Sequence, residues 1–286
     1  MSGTAWLVSA LAFWLAAWGA NVLIARSAWR GSRAARIAVP VLFGLAVLAL
    51  WEGVVRGFAV EEVILPAPSV IWRTVVEQRA TLWSDFVATI LKGGLSGYVI
   101  GCAAAVAAAV LVDRVPFLEK GLLPIGNFVA ALPIVGIAPV MVMWFGFGWQ
   151  SKAAVVVVMV FFPVLVNAVA GLKAADRMQA DLMATWGASW GQTLAKLRLP
   201  AAIPFIFNGL KIATTLALIG AIVAEFFGSP SFGMGFRIQT AVGQLALPLV
   251  WAQIAVAAVA GSVFYGLVAL IETRVTFWHP SQRGRG

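Results

Sequence analysis

Residues 172–203, LKAADRMQADLMATWGASWGQTLAKLRLPAAI, form a polar interruption between two long apolar runs. Asp176 stands three residues before Gln179, and Ser189 three before Gln192. Both spacings are helix-start signatures, in which a side-chain oxygen caps a backbone N–H and the Gln reaches back. Gly187 falls between them. The pattern predicts two short helices bent at Gly187, the second ended by Pro200, whose ring and missing N–H cannot continue a preceding helix. Leu182, Trp186, Trp190, Leu194 and Leu197 recur every three or four residues as an apolar stripe. A hairpin too short to cross a bilayer, yet apolar along one side, must bury that side. It can lie in the lipid interface, anchored by Trp186 and Trp190, or dock on a partner.

The runs on either side decide the fold class. Of 286 residues, 62% are hydrophobic and 11% charged, whereas soluble domains carry about a quarter charged residues. That composition excludes a water-soluble enzyme. Apolar runs long enough to cross a hydrocarbon core of about 30 Å fall at 4–25, 37–57, 84–112, 121–146, 153–171, 204–226 and 246–271. The expectation is an all-α, polytopic transmembrane helical bundle. The Arg residues of the first run follow its apolar stretch, which reads as a retained helix rather than a signal peptide.

Cys102 and His279 are the sole Cys and His, so a disulfide framework and a Cys/His metal site are excluded. Nothing suggests a nucleophilic triad. The Gly-rich stretch 228–235 lacks the Gly-Lys-Ser/Thr ending of a phosphate loop and reads as an external turn. The chain is therefore expected to be no enzyme and to bind no metal or cofactor of its own.

The net charge of +9 comes from Lys and Arg clustered between the apolar runs. This fits the positive-inside rule rather than a nucleic-acid face. Placing Arg26, Arg30, Arg33 and Arg36 inside puts thirteen basic residues in the cytoplasm and five outside: Arg56, Arg73, Arg79, Lys152 and Arg237. The N-terminus is then outside, the C-terminus inside, and residues 172–203 cytoplasmic. On the outside, Leu65-Pro66-Ala67-Pro68-Ser69 is a turn, with Ser69 expected to cap a short amphipathic helix carrying Val70, Trp72, Arg73, Val76 and Arg79.

Ionisable residues within spans are functional candidates, and Glu52, Lys92, Lys211 and Glu225 qualify. Glu52 suits a local pair with Arg56, and Lys211 can snorkel to the inner surface. Lys92 and Glu225 both fall near the outer face, where they could pair, for packing or for gating and substrate contact. Pro124, Pro133, Gly136, Pro139 and Pro163 interrupt the fourth and fifth runs. Irregular backbone at membrane depth is tolerated where it is buried or lines a cavity. The candidate pathway lining is therefore Pro133, Gly136 and Pro139 with Asn167, Asn208, Thr214 and Thr215, and Lys92 and Glu225 at the outer end; ordinary kinked packing is the rival reading. Gly93, Gly97 and Gly101 offer a face for close helix approach, within the chain or between copies. Trp83, Trp144 and Trp149 outside and Trp278 inside suit interfacial anchoring.

Gly187, nine residues, Leu197, Arg198, Leu199 and Pro200 resemble the second half of the cytoplasmic signature of binding-protein-dependent ABC transporter permeases. The first half departs from it, with Asp181-Leu182-Met183 where that family has Glu-Ala-Ala. Leu65–Ser69, Pro133–Pro139 leading to Trp144-Phe-Gly-Phe-Gly148, and Ala224-Glu225 are similar to the nitrate, sulfonate and taurine importer subgroup. The resemblance covers roughly residues 45–272. It implies a six-helix permease core at 37–286, preceded by an extra helix and basic loop at 1–36. It further implies coupling helices at 176–198 seated in a groove of separate ABC ATPase subunits, which use ATP and Mg. Gly187 would allow the bend; the stripe of Leu182, Trp186, Trp190, Leu194 and Leu197 would fill the groove; Asp181, Lys196 and Arg198 would make rim contacts; Leu199 and Pro200 complete the coupling signature.

The other implied partners are an external solute-binding protein and a second permease copy in a homodimer within the cell inner membrane, with no nucleic acid. The implied cargo is a small anionic or zwitterionic solute such as an alkanesulfonate, taurine, nitrate or a thiamine precursor. The rival is a stand-alone secondary transporter or channel, which has no need of a capped cytoplasmic hairpin and is expected to show internal repeats.

Overall fold

The computed structural model describes residues 2–130, 132–228 and 231–277. Ser229 and Pro230 of the Gly-rich stretch, and Trp278, His279, Arg283 and Arg285, lie outside the described residues. Every regular element among the described residues is helical. The chain divides into two compact units, Met1–Thr81 with Thr240–Ile254, and Leu82–Gln239 with Ala255–Gly286.

The first unit is built on a helical hairpin, α1 (Gly3–Arg26) and α2 (Arg33–Gly57), joined by a 3-10 turn at Ala28–Gly31. The two helices meet through small residues: a Cβ on Gly53 would strike Ala10, and one on Gly57 would strike Leu7. Lipid gives no hydrophobic reward for association, so close backbone approach of this kind is what holds such helices together. The Arg56 guanidinium lies 5.0 Å from the Trp6 ring centroid. Helix α3 (Pro68–Glu77) follows the external turn. Its N-cap is Ala67, not Ser69 as expected, because Pro68 takes the first helical position, where its fixed φ suits and its missing N–H costs nothing. Ser69 instead donates its N–H to Glu52 Oε2 at 2.9 Å and its hydroxyl to Oε1 at 2.7 Å. The expected Glu52–Arg56 pair is present, and Arg56 also donates to Ser69 Oγ at 2.9 Å. A carboxylate borrowed from α2 thus caps α3.

The second unit begins within α4 (Arg79–Phe86), which with a π-helical turn at Val87–Gly94 and α5 (Leu95–Arg114) forms one 36-residue stretch. The fourth apolar run is not one helix: α6 (Pro116–Ala130) stops before Pro133 and α7 (Ile134–Phe145) starts after it. Pro133 is extended, as the N-cap of α7. With 15 residues, α6 spans only about 22 Å, short of the ~30 Å core. Helix α8 (Trp149–Lys173) leads into α9 (Arg177–Thr185) and α10 (Trp190–Thr193). A second π-turn, Leu194–Arg198, passes into α11 (Leu199–Gly228), so residues 190–228 are one 39-residue stretch. Helices α12 (Met234–Gly243) and α13 (Leu247–Val275) complete the chain. Among the described residues six stretches are long and apolar enough to cross a membrane, α7 being shorter.

Helix α8 packs between α5 and α11. Its buried Val156, Val160 and Val164 face Ala105 and Ala109 of α5 and Ala213, Ala217 and Ala221 of α11. The Gly93–Gly101 face is spent inside the chain: a Cβ on Gly97 would lie 2.6 Å from the Ala153 carbonyl oxygen, and one on Gly101 3.0 Å from Val157 Cα. Methyl groups there would force α5 and α8 apart.

Candidate functional site

Two clusters sit at the ends of the second unit. At the end assigned to the cytoplasm, Asp176 Oδ1 accepts the Met178 N–H at 2.9 Å and starts α9. Gly187, with φ +72°, donates its N–H to Ala184 O at 3.0 Å, while Ala188 donates to Met183 O at 3.0 Å. This pair of bonds ends a helix on a left-handed residue, the conformation glycine adopts without steric cost. Ser189 and Gln192 then form the full reciprocal box: Ser189 N–H to Gln192 Oε1 at 2.7 Å and Gln192 N–H to Ser189 Oγ at 3.4 Å. Pro200 does not end this leg. The wider hydrogen-bond register of the π-turn just before it accommodates the ring that an α-register would reject.

The apolar stripe divides between the two legs. On α9, Met178, Leu182 and Trp186 are exposed, Trp186 by 77%, with Asp181 exposed beside them. On the second leg, Leu194 is buried, Trp190 and Leu199 pack against the α5–α8–α11 core, and Leu197 and Pro200 are half-buried. Of the expected groove-filling stripe, Trp190 and Leu194 therefore face the chain's own helices, as does Leu199 of the coupling signature. Arg198, expected at a rim, donates from Nη1 to both carboxylate oxygens of Asp113 at 2.6 and 2.8 Å. Trp190 Nε1 donates to the same carboxylate at 3.0 Å, and the Arg114 guanidinium lies 5.1 Å from the Trp190 ring.

At the opposite end, three successive backbone N–H groups opening α12 are held by side chains of other helices. Gly233 donates to Asp85 Oδ1 at 3.0 Å, Met234 to Thr89 Oγ1 at 2.8 Å, and Gly235 to Glu225 Oε2 at 2.8 Å. Thr89 Oγ1 is 2.9 Å from each Glu225 oxygen. Arg237 Nε donates to Asp85 Oδ2 at 3.0 Å. A helix N-terminus presents unpaired N–H groups and a positive dipole end, and here two carboxylates of the chain itself fill it. Gly233, at φ +126°, and Gly235 make the close approach possible: a Cβ on Gly233 would collide with the Glu225 carboxylate, and one on Gly235 with the Ile222 carbonyl. The second half of the Gly-rich stretch is thus a helix start, not simply an external turn.

This cluster corrects the expected Lys92–Glu225 pair. The π-turn rotates Lys92 to an exposed position while Thr89, Gly93 and Gly94 face inward. The cation acting on Glu225 is Lys152 of α8, which packs against Gly93, is itself buried and donates to the Phe147 and Gly148 carbonyls at 3.4 Å. Glu225 is 1% exposed and holds the start of α12 through Gly235. Thr214 is also enclosed, its hydroxyl turned back to Lys211 O at 2.7 Å. The remaining pathway candidates lie on open faces. Pro133 and Gly136 are exposed on α7, and Pro139 is half-buried. Asn208 and Thr215 are exposed on α11, and Asn208 donates to Asn167 Oδ1 at 3.0 Å. Lys211 pairs with Glu272 of α13 at 2.7 Å. Trp144 and Trp149 line an open apolar groove of about 500 Å³ with Ile100, Met141 and Val157.

Asp85, Thr89, Asp113 and Glu272 lie outside the sequence expectations, and Lys152 and Arg237 enter them only as external cations. Asp85 and Thr89 carried a signal, two polar residues one helical turn apart at the head of an apolar run; Asp113 had none, because its partners lie 77 and 85 residues away.

Residues 97–277 match the family described as binding-protein-dependent transport system inner membrane component. The chain belongs to that family of ABC transporter permeases. The permease is 30% identical to the formylaminopyrimidine transport permease protein of Halalkalibacterium halodurans, over 85% of this chain and 96% of that one. It is 29% identical to the riboflavin transport system permease protein of Chloroflexus aurantiacus, over 86% and 91% of the two chains. With the putative aliphatic sulfonates transport permease protein of Bacillus subtilis it shares 28%, over 85% and 88%. It is a multi-pass inner-membrane transport component, as the signature at 187–200 implied.

Proposed function

We propose that this permease imports a small anionic or zwitterionic solute, of the class of an alkanesulfonate, taurine, nitrate or a thiamine precursor, delivered by an external binding protein. ATP, with Mg, is hydrolysed by separate ABC ATPase subunits that dock on α9. The observation that carries this reading is the open apolar face of α9, with Met178, Leu182 and Trp186 exposed and Asp181 at its edge. Water is a poor environment for such a face on a helix of 9 residues, and a groove on a partner removes it from water at roughly 25 cal/mol per Å². The region 37–286 is read as the transport domain and 1–36 as an added helix and basic loop. A second copy completes the channel, and the Asn208 and Thr215 side of α11, with Asn167 and the start of α7 at Pro133 and Gly136, is the pathway lining that remains open in one chain.

The test is reconstitution with an ABC ATPase and a solute-binding protein from the same organism, the ligand of the latter being found first by thermal shift. Import that requires all three components and ATP is the expected result. Solute flux by the purified permease alone would make it a stand-alone carrier or channel and end this reading.

A further inference from the structure

We propose that Asp113 is the positioning residue that ties the docking hairpin to α5, so that α5 and α11 follow the hairpin as one body. The proposal rests on the docking role of α9. Residues 190–228 are continuous helix, so the backbone alone carries a displacement of the hairpin into α11. It does not carry it into α5, whose connection to the hairpin along the chain runs through α6, α7 and α8. Asp113 closes that gap. Its carboxylate, with 7% of the side chain exposed, takes hydrogen bonds from Trp190, before the π-turn, and from Arg198, the last residue of that turn. Arg114, the next residue, covers the Trp190 ring. Two adjacent residues of α5 thus grip the second leg at two points eight positions apart.

The placement of this acid argues for such a role. Asp113 lies in the last turn of α5, where the helix dipole disfavours an anion, so α5 gains nothing from it without Arg198. Both oxygens of the carboxylate are engaged by one ionised donor, and a hydrogen bond between charged partners is roughly twice as strong as a neutral one. Helix α5 also meets α8 closely at Gly97 and Gly101, toward the end of α5 away from Asp113. Helices α5 and α11 then move together when the hairpin is driven.

Spin labels at Leu111 on α5 and Ala195 on the second leg, both exposed, read this directly in the complex with its ATPase; Cys102 is buried and stays unlabelled. In the wild type the distance between them is expected to be the same with and without ATP. Asp113→Asn keeps the shape and removes the charge; the complex then still assembles and hydrolyses ATP, but the distance shifts and broadens on ATP binding. The exchanged pair Asp113→Arg with Arg198→Asp restores an ATP-independent distance, an outcome that a loss of packing alone does not produce. An ATP-dependent shift already present in the wild type, no shift in Asp113→Asn, failure of that complex to assemble, or an exchanged pair no better than the single variants would each overturn the proposal. Trp186→Ala tests the underlying reading separately: unchanged ATPase association in that variant sinks the docking role of α9, whatever Asp113 does.

Discussion

The two ends of the second unit treat their polar and apolar groups in opposite ways. At the outer cluster every feature points inward: Asp85, Thr89 and Glu225 are buried, the first N–H groups of α12 are all taken, and the glycines there are hemmed in by neighbouring atoms. At the hairpin of α9 and α10 the local bonds are complete but the surface is not: α9 caps itself at both ends and leaves Met178, Leu182 and Trp186 outward, and a Cβ on Gly187 would meet nothing. A closed polar cluster belongs to the fold, because its side chains already have the partners a buried group requires. An open apolar face on a self-capped element is made for something outside the chain. Substitutions at the two ends should therefore separate stability from assembly.

The largest effect is expected at the closed end. Asp85→Ala removes the acceptor for both Gly233 and Arg237 and should cost about 3 to 5 kcal/mol, the range for stranding one member of a buried charged pair. Thermal unfolding in detergent measures it, and a variant as stable as the parent would break the contrast. Trp186→Ala is the counterpart at the open end. Stability should stay within about 0.5 kcal/mol, as for an exposed position, while ATPase association weakens tenfold or more, about 1.4 kcal/mol or greater. Co-purification across a concentration series reads that loss. If Trp186→Ala instead lowers the unfolding temperature as Asp85→Ala does, the two ends are not different in kind.

The comparison also explains what the sequence revealed. The hairpin is local: Asp176, Gly187, Ser189 and Gln192 act on residues two to four positions away, so their spacing announces the structure. Pro200 misled because its usual effect presumes an α-register, and the π-turn that changes the register leaves no simple mark in residue order. The break before Pro133 was visible as prolines, but not that it would divide the fourth run into two short helices. Ser69 looked like a cap because the acid that does the capping, Glu52, lies 17 residues earlier. In the outer cluster Thr89 and Glu225 are 136 residues apart, and Asp85 and Arg237 152, so charge and hydropathy located the right depth for Glu225 and chose the wrong cation. Apolar runs specified the helices; pairing between them depended on side-chain rotation that a π-turn alters by one residue.

A smaller effect is expected at Gly187. Alanine there meets no atom, so its cost is the backbone alone, about 1 to 2 kcal/mol for a left-handed residue carrying a Cβ. Because the hairpin is only two short legs, this should appear as altered ATPase association with the unfolding temperature of the bundle unchanged. A bulkier residue should do the same through the same strain, unless the partner occupies the open space beside Gly187, in which case Gly187→Trp weakens association well beyond Gly187→Ala. The difference between the two variants reports the partner's surface.

Ser189→Ala should give the smallest change. It deletes one half of the capping box, leaving the Gln192 N–H without its acceptor while the Gln192 side chain keeps the Ser189 N–H. The site is exposed, so water replaces the lost bond, and the cost should fall near 1 kcal/mol, as for N-cap serines elsewhere. Hydrogen exchange resolves where that cost is felt. Amides 189–193 should exchange about fivefold faster, the factor that corresponds to 1 kcal/mol, and amides from Leu199 onward should not change, because Asp113 and the core contacts of Leu194 and Leu199 hold the leg beyond the π-turn. Should exchange accelerate along the whole of 189–210 instead, the cap and not the Asp113 contact would be what fixes this leg to the bundle.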